Sequence, residues 1–597
     1  MYIVRAITSV NRDRCLSAPV SYKQRPQDTE TDATVAAKML RFSLVIAILL
    51  PCAASDGNLL VNSDLEQGDF SNANSGWFGR RCSTSLSSDS YTGNNSVRVS
   101  NRQAKWAGIA QSISVEAGKQ YFFSGFIQLL NTAAGKMTAE VTVTLNYRNT
   151  VTGAKKYVHV SSVRFMQPNM WQRIGGDITI LSGYDKYILY IQVYSPVVDY
   201  LLDTTSLTEL PSLPGNWDVA ADATIDAIRK TDINIVATSG RVDGVTVEIQ
   251  QLTSEFGFGT AVSADRIVQS SNYTAYQNFF YDNFEWATIE NKLKWSQTER
   301  NKDVLTYDAG VTAVNELVER GIKVRGHTVF WGVPTKDPAW VQSLQGDALV
   351  QAMVARGMNV TSRTLGKLEH WDVNNENVHG NFYEEATGHV NITMDIFSAV
   401  RSMDPKPKLF LNDFAIVSSG QFTQAYRTQA MMFRSETPVY GVGIQSHLKP
   451  PLDLTLIKHR LDQIVEVGLP IWITELDIDE PDQNKKAGLL EDVLRLYFST
   501  PAVHGVTLWG FWDGKIWNTD AALANGESVT PNAAGVRWHQ LVKQDWRTHE
   551  THSLADRTVR TRGFKGNYSL RVKKDGTTVQ EQQFTLGSCG AEISLNL

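Results

Sequence analysis

The chain has 597 residues, more than one compact core accommodates, so several domains are expected. It is 42% hydrophobic and 20% charged, the balance of a folded chain rather than a disordered one. Its net charge of -5 leaves no basic footprint for nucleic acid, and its 15 tryptophans suggest apolar platforms of the kind that sugar rings stack on, although most such rings serve a core.

Residues 1–38 are polar and without pattern, and are read as an upstream extension. From Met39 a leader pattern follows: Arg41 supplies a short positive region and Phe42 to Leu50 an apolar run too short to span a membrane. Ala53 and Ser55 are small residues placed for cleavage before Asp56. Residues 39–55 are therefore expected to be a secretory signal peptide and the protein extracellular, with no membrane among its partners. Five N-x-S/T sequons, at Asn94, Asn272, Asn359, Asn391 and Asn567, add weak support. The two cysteines beyond the leader, Cys82 and Cys589, fall in different expected domains, and a disulfide between them is the less favoured reading.

Residues 56–210 read as short alternating segments, such as "QYFFSGFIQL" and "AEVTVTLNY", separated by Gly, Asn and Ser clusters, the rhythm of a β-sandwich. Residues 211–255 are read as a linker, marked by "ELPSLPGNW", and a β segment. From 256 the rhythm changes. Eight apolar strands alternate with amphipathic stretches: "FGFGTAV", "WATIEN", "KVRGHTVFW", "HWDVNNE", "KLFLNDF", "YGVGIQSH", "PIWITELDI" and "HGVTLWGF". Their starts lie roughly 30 to 47 residues apart, which predicts a (β/α)₈ barrel over 256–545, with a doubly wound open sheet as the alternative. The tail, 546–597, alternates around a Lys-Asp-Gly turn and predicts a small β-sandwich, with which the segment before the barrel could pack.

A barrel carries its chemistry at the carboxyl ends of its strands. Here those ends hold Glu290 and Asn291, His327 and Trp331, Asn375 and Glu376, Asn412 and Asp413, Gln445 and His447, Glu475 and Asp477, and Trp509. Glu376 and Glu475 end the fourth and seventh strands, which places two carboxylates across one mouth. Glycoside hydrolysis needs such a pair, one protonated and one ionised. An imidazole of His447 held by Asp477 would keep Glu475 charged, whereas Glu376 stands among neutral amides. This assigns Glu376 as acid/base and Glu475 as nucleophile. A structural salt bridge is the ordinary alternative for either glutamate alone.

At these residues the sequence resembles glycoside hydrolase family 10, the endo-1,4-β-xylanases. "WDVNNE" and "ITELD" match the motifs around the acid/base and the nucleophile, and "ENKLKW", "RGHTVFW", "LNDF", "GIQSH" and "LWGFWDGKIW" match in order over roughly 256–545. The resemblance implies a (β/α)₈ fold and an endo-acting, retaining mechanism. By the same resemblance Glu290, Asn291 and Lys294 hold sugar hydroxyls on the non-reducing side, and His327, Trp331, Asn375, Gln445 and His447 line the reacting subsite. Trp509 and Trp517 stack over it, and Asn375 meets the 2-hydroxyl. Gly332, where many members carry a polar side chain, and the extra ring Trp512 are departures. Residues 56–210 resemble family 22 carbohydrate-binding modules through "NLLVNSDLEQG" and "YLLDTTSLTEL", with Trp106 and Arg80 as candidate sugar contacts.

The expected partner is xylan or a related β-1,4-glycan, met by a monomer. A β-1,4-glucanase or dual glucanase/xylanase, and a catalytically inactive carbohydrate-binding protein, stay open as alternatives. No cofactor is expected. The eleven histidines lack zinc-type spacing, and a structural calcium in the N-terminal module is left open.

Overall fold

The computed structural model describes residues 57–70, 76–269 and 271–597. The upstream extension and the leader lie outside the described residues.

Residues 57–210 form two antiparallel five-stranded sheets packed face to face. One contains Trp77–Arg80, Gly108–Ile113, Lys186–Val193, Ala139–Arg148 and Lys155–Met166, in that spatial order, and the other ends in the paired strands Gln120–Leu129 and Gln172–Thr179. Along Gln120–Leu129 the residues Tyr121, Phe123, Ile127 and Leu129 are buried in the inter-sheet core, a period of two that pins the register.

The stretch expected to be a linker is partly helical. Trp217–Arg229 is a helix that buries Ala221 and Ile225, four residues apart, on the barrel. Its last residue, Arg229, donates to the carbonyls of Phe498, Thr500 and Val503 at 2.8–2.9 Å, closing the helix Gln483–Phe498 onto the eighth barrel strand. Two strands follow, Lys230–Ser239 and Val245–Ser254. The first pairs with Thr558–Phe564 and Ala591–Asn596, the second with His549–Ser553 and Gly566–Lys574. Together with Thr577–Leu586 they make the small C-terminal sandwich, whose core includes Ile233, Ile235, Val247, Ile249, Tyr568 and Leu570. Cys82 and Cys589 are both unpaired.

Between these flanks lies a closed barrel of eight parallel strands: Gly257–Val262, Trp286–Ile289, Lys323–Trp331, His370–Asn375, Lys408–Asp413, Gly441–Ile444 with its continuation His447–Leu448, Ile471–Ile478 and Val503–Leu508. The first strand pairs with the second and the eighth, which closes the ring. Ile471–Ile478 is buried throughout because side chains fill the barrel on one face and helices cover the other. Trp286, Phe410 and Trp472 plug the barrel interior. Trp472 fits because Gly257 and Gly505 face it; a Cβ at either would lie 2.2–2.5 Å from its ring. Asp453, Asp482 and Asn532 cap three outer helices by accepting backbone N–H bonds, each worth about 1 kcal/mol.

Two register shifts lie toward the carboxyl ends of the strands that carry the glutamates. One falls between Asp372 and Asn375 on the fourth strand, another between Ile473 and Leu476 on the seventh. Strict alternation from Asp372 would place Asn374 on the inner face and Asn375 on the outer. The shift reverses this. Asn374 donates to Thr393 of the outer helix Ile392–Met403, and Asn375 accepts from Asn412.

Candidate active site

The fourth-strand glutamate stands on a strained turn: Glu376 has φ +61°, in the left-handed region. The turn is held because Glu376 O accepts from the N–H groups of His379 and Gly380 at 3.1 and 2.9 Å. The Asp413 carboxylate accepts from Val378 N and sits 2.6 Å from His379 Nδ1. The departure at Gly332 has its reason here. A Cβ on Gly332 would lie 2.5 Å from Gly380 O, and one on Gly380 would lie 2.3 Å from Gly332 O, so the two glycines let the third-strand loop and the Glu376 turn touch backbone to backbone.

The Glu376 carboxyl accepts from two neutral donors, Trp331 Nε1 at 2.8 Å and Gln445 Nε2 at 3.2 Å. Burial pushes it above the ordinary carboxylate range. The charge of Asp413 adds to this and so, less, does that of Glu475, against the two hydrogen bonds. A carboxyl so placed keeps its proton longer than a free one.

Glu475 has the opposite environment. Its Oε1 accepts from Asn412 Nδ2 at 2.8 Å and its Oε2 lies 3.4 Å from His447 Nε2. Burial alone would raise it, but the hydrogen bond from His447, the nearby His327 and His447 rings and the Asn412 bond together hold it below the ordinary range. His447 in turn has its Nδ1 2.8 Å from Asp477 Oδ2. Burial opposes its charging, yet Asp477 and Glu475 lift the imidazole to about 10, so it stays cationic beside Glu475.

The remaining expected residues gather at the same mouth. Asn375 Oδ1 accepts from Asn412 at 2.9 Å, which leaves its Nδ2 without a partner among the described residues. His327 has Nδ1 3.0 Å from Asp372 Oδ2 and its Nε2 likewise unpartnered, with the rings of Trp509 and Trp331 5.1 and 5.6 Å away. Trp517 donates to Asp477 at 2.7 Å and is 62% exposed, open to a ligand. Glu290 faces Lys515 at 3.6 Å; Asn291 accepts from Lys294 at 2.9 Å, and Lys294 stands 5.0 Å over the Trp331 ring. Burial pushes the Lys294 ammonium down against the pull of Glu475 and Glu290. Trp512 donates to Gly526 O in an outer loop.

Three residues do more than the sequence reading gives them: it marks Asn412 and Asp413 only as strand-end polar groups and passes over Asp372. Asn412 bridges Glu475 and Asn375, Asp413 braces the Glu376 turn, and Asp372 orients His327 while paired with Arg325 at 2.7 Å. The strand-end signal places Asn412 and Asp413 at the mouth but does not give their partners. In the N-terminal sandwich, Arg80 lies 5.7 Å from the ring of Trp106, which is 40% exposed, and 4.4 Å from Tyr190, a ring the sequence did not single out.

Comparison with known proteins settles the family. Residues 248–535 match the glycosyl hydrolase family 10 model and residues 57–197 the model of a carbohydrate binding domain. The barrel is a glycosyl hydrolase family 10 domain. Relatives of this two-module chain include the anti-sigma-I factor RsgI6 of Acetivibrio thermocellus, 36% identical over 372 residues, 62% of this chain and 48% of that one. Another is endo-1,4-beta-xylanase 1 of Arabidopsis thaliana, 29% identical over 486 residues, 80% of this chain and 49% of that one. The chain thus spans about half the length of these relatives. Among solved structures, the CBM22-1–GH10 modules of a Clostridium thermocellum endo-1,4-beta-D-xylanase complexed with xylohexaose are similar at 16% identity and TM-score 0.43, over 82% of this chain and 97% of that one. None of the described helices next to the family 10 domain or within it is long and apolar enough to cross a membrane.

Proposed function

We propose that the chain is a secreted, endo-acting, retaining β-1,4-xylanase whose N-terminal module binds the same glycan. Glu376 is the acid/base and Glu475 the nucleophile. One observation carries this reading: the two carboxyls of one mouth are driven in opposite directions, Glu376 up and Glu475 down. That split is what a proton donor and an attacking carboxylate need. In the first step Glu475 attacks the anomeric carbon while Glu376 gives its proton to the departing oxygen. In the second, ionised Glu376 takes a proton from the water that breaks the glycosyl–Glu475 ester, restoring the anomeric configuration.

The unpartnered Nδ2 of Asn375 and Nε2 of His327 are donors free for sugar hydroxyls, and the Asn375 amide would grip the 2-hydroxyl as the oxocarbenium develops. Trp509 and Trp517 offer ring faces to the sugar, and Glu290, Asn291 and Lys294 hold its neighbour. Trp106 and Arg80 would engage the chain on the module, raising its local concentration. Secretion rests on the leader pattern of residues 39–55. No cofactor enters the reaction.

The test is incubation of the purified chain with xylan, arabinoxylan and carboxymethylcellulose, following reducing ends and the anomer first released. Short xylo-oligosaccharides appearing as β-anomers are expected. Release from carboxymethylcellulose alone would make it a glucanase; xylan binding without any cleavage would make it a binding protein.

A further inference from the structure

The N-terminal sandwich and the barrel share a built seam. Asp177 forms a two-pronged ion pair with Arg460 at 2.6 and 2.8 Å, and both side chains are at most 10% exposed. Arg460 also donates to Val417 O at 2.8 Å. Gly420 has no Cβ where one would collide with the Asp177 carboxylate, and Ser162 N donates to Gln421 O at 2.8 Å. The strands Lys155–Met166 and Gln172–Thr179, which end their two sheets, are thereby covered by the barrel.

From this seam one side chain reaches the turn that carries Glu376. Arg164 donates through Nη1 to His379 O at 3.2 Å, and its guanidinium stands 5.1 Å over the Phe422 ring. His379 is pressed between Phe422, 4.4 Å away, and Phe414, stacked at 3.7 Å, with its Nδ1 on the buried Asp413 carboxylate. Its own N–H closes the turn on Glu376 O. Arg164 also lines a cavity of about 140 Å³ at the seam, with Gln172 on the sandwich side and Asn377, Gly380 and Asn381 on the barrel side. It thus stands where water would otherwise reach the back of the turn.

We propose that Arg164, a residue of the carbohydrate-binding module, is a positioning residue for the acid/base Glu376 of the barrel. Through His379 it fixes the left-handed turn that aims Glu376 at the departing oxygen. The module therefore acts on the proton-transfer step itself, apart from any binding of glycan on its own sheet. This rests on the reading of Glu376 as acid/base.

Two aryl β-xylobiosides separate the possibilities, one with an activated leaving group and one with a poor one, because only the second needs a proton from the enzyme. In the full-length chain, Arg164→Ala should lower kcat/KM on the poor substrate about tenfold, a fraction of a general acid's whole contribution, and leave kcat/KM on the activated substrate, which reports the first step alone, nearly unchanged. The alkaline limb of the pH profile should move down as the turn hydrates. Glu376 is faced by Trp331, Gln445, Asp413, Glu475 and Lys294 from five separate segments of the barrel, and all five remain in this variant. Arg164→Lys, which keeps a donor, should recover part of the loss. An equal fall in kcat/KM on both substrates, or no change on either, would overturn the proposal. A parent chain that cleaves neither substrate would instead overturn the xylanase reading beneath it.

Discussion

Nε2 of His447 lies 3.4 Å from Oε2 of Glu475, and this contact ties the charge of one to the charge of the other. The imidazole is lifted from 6.5 to about 10, so its contribution to stability is fully present below pH 6.5 and is lost as pH rises through about 10. Thermal unfolding followed by circular dichroism should show the wild-type melting temperature falling across that window, and His447→Gln should flatten the fall. The same variant frees Glu475 to follow its burial upward, so the acid limb of kcat/KM should move to higher pH.

Glu475→Gln should remove at least about 10⁴-fold of turnover, the scale seen when a covalent catalyst loses its nucleophile. Its fold should persist, because Gln keeps the volume and still accepts from Asn412. Added azide, a small nucleophile, should restore turnover of an activated aryl xylobioside in Glu475→Ala and yield the opposite anomer. Retained β-product in that rescue would remove Glu475 from the role.

Glu376→Gln should separate substrates by leaving group. Loss of a proton donor costs about 10²–10⁴-fold where protonation is required, so xylan cleavage should collapse while the first step on a dinitrophenyl xylobioside survives and its product accumulates as glycosyl-enzyme. Mass spectrometry of the quenched protein would detect the added sugar. Equal losses on both substrates would contradict the assignment.

Gly332→Ala should impair activity without touching a sugar. Its Cβ would meet Gly380 O at 2.5 Å, so the Glu376 turn must give way. Misplacing a catalytic group by a fraction of an ångström to an ångström costs on the order of tenfold to a hundredfold. We expect that loss in kcat, with KM for xylohexaose little changed.

The fold was legible where chemistry and periodicity coincide. Eight apolar runs that end in polar residues announce a barrel, and Glu376 and Glu475 stand out because each closes such a run. The register shifts at Asp372/Asn375 and Ile473/Leu476 leave no mark of Gly or Pro, so which amide faces inward could not be read. The helix Trp217–Arg229 hid behind two prolines, its inward stripe reduced to Ala221 and Ile225. Asp177 and Arg460 are 283 residues apart, and the composition of neither segment points to the other. Local patterns reveal elements, whereas partners between distant elements depend on topology.

The small sandwich is woven from both ends of the barrel: Val245–Ser254 lies between His549–Ser553 and Gly566–Lys574. The barrel is thus an insertion within the sandwich, and its first and last segments are stitched into one sheet. A clone that stops before residue 549 would strip both edges from Val245–Ser254 and leave the barrel's entrance and exit untied. Trimming this protein to its catalytic part means keeping the tail.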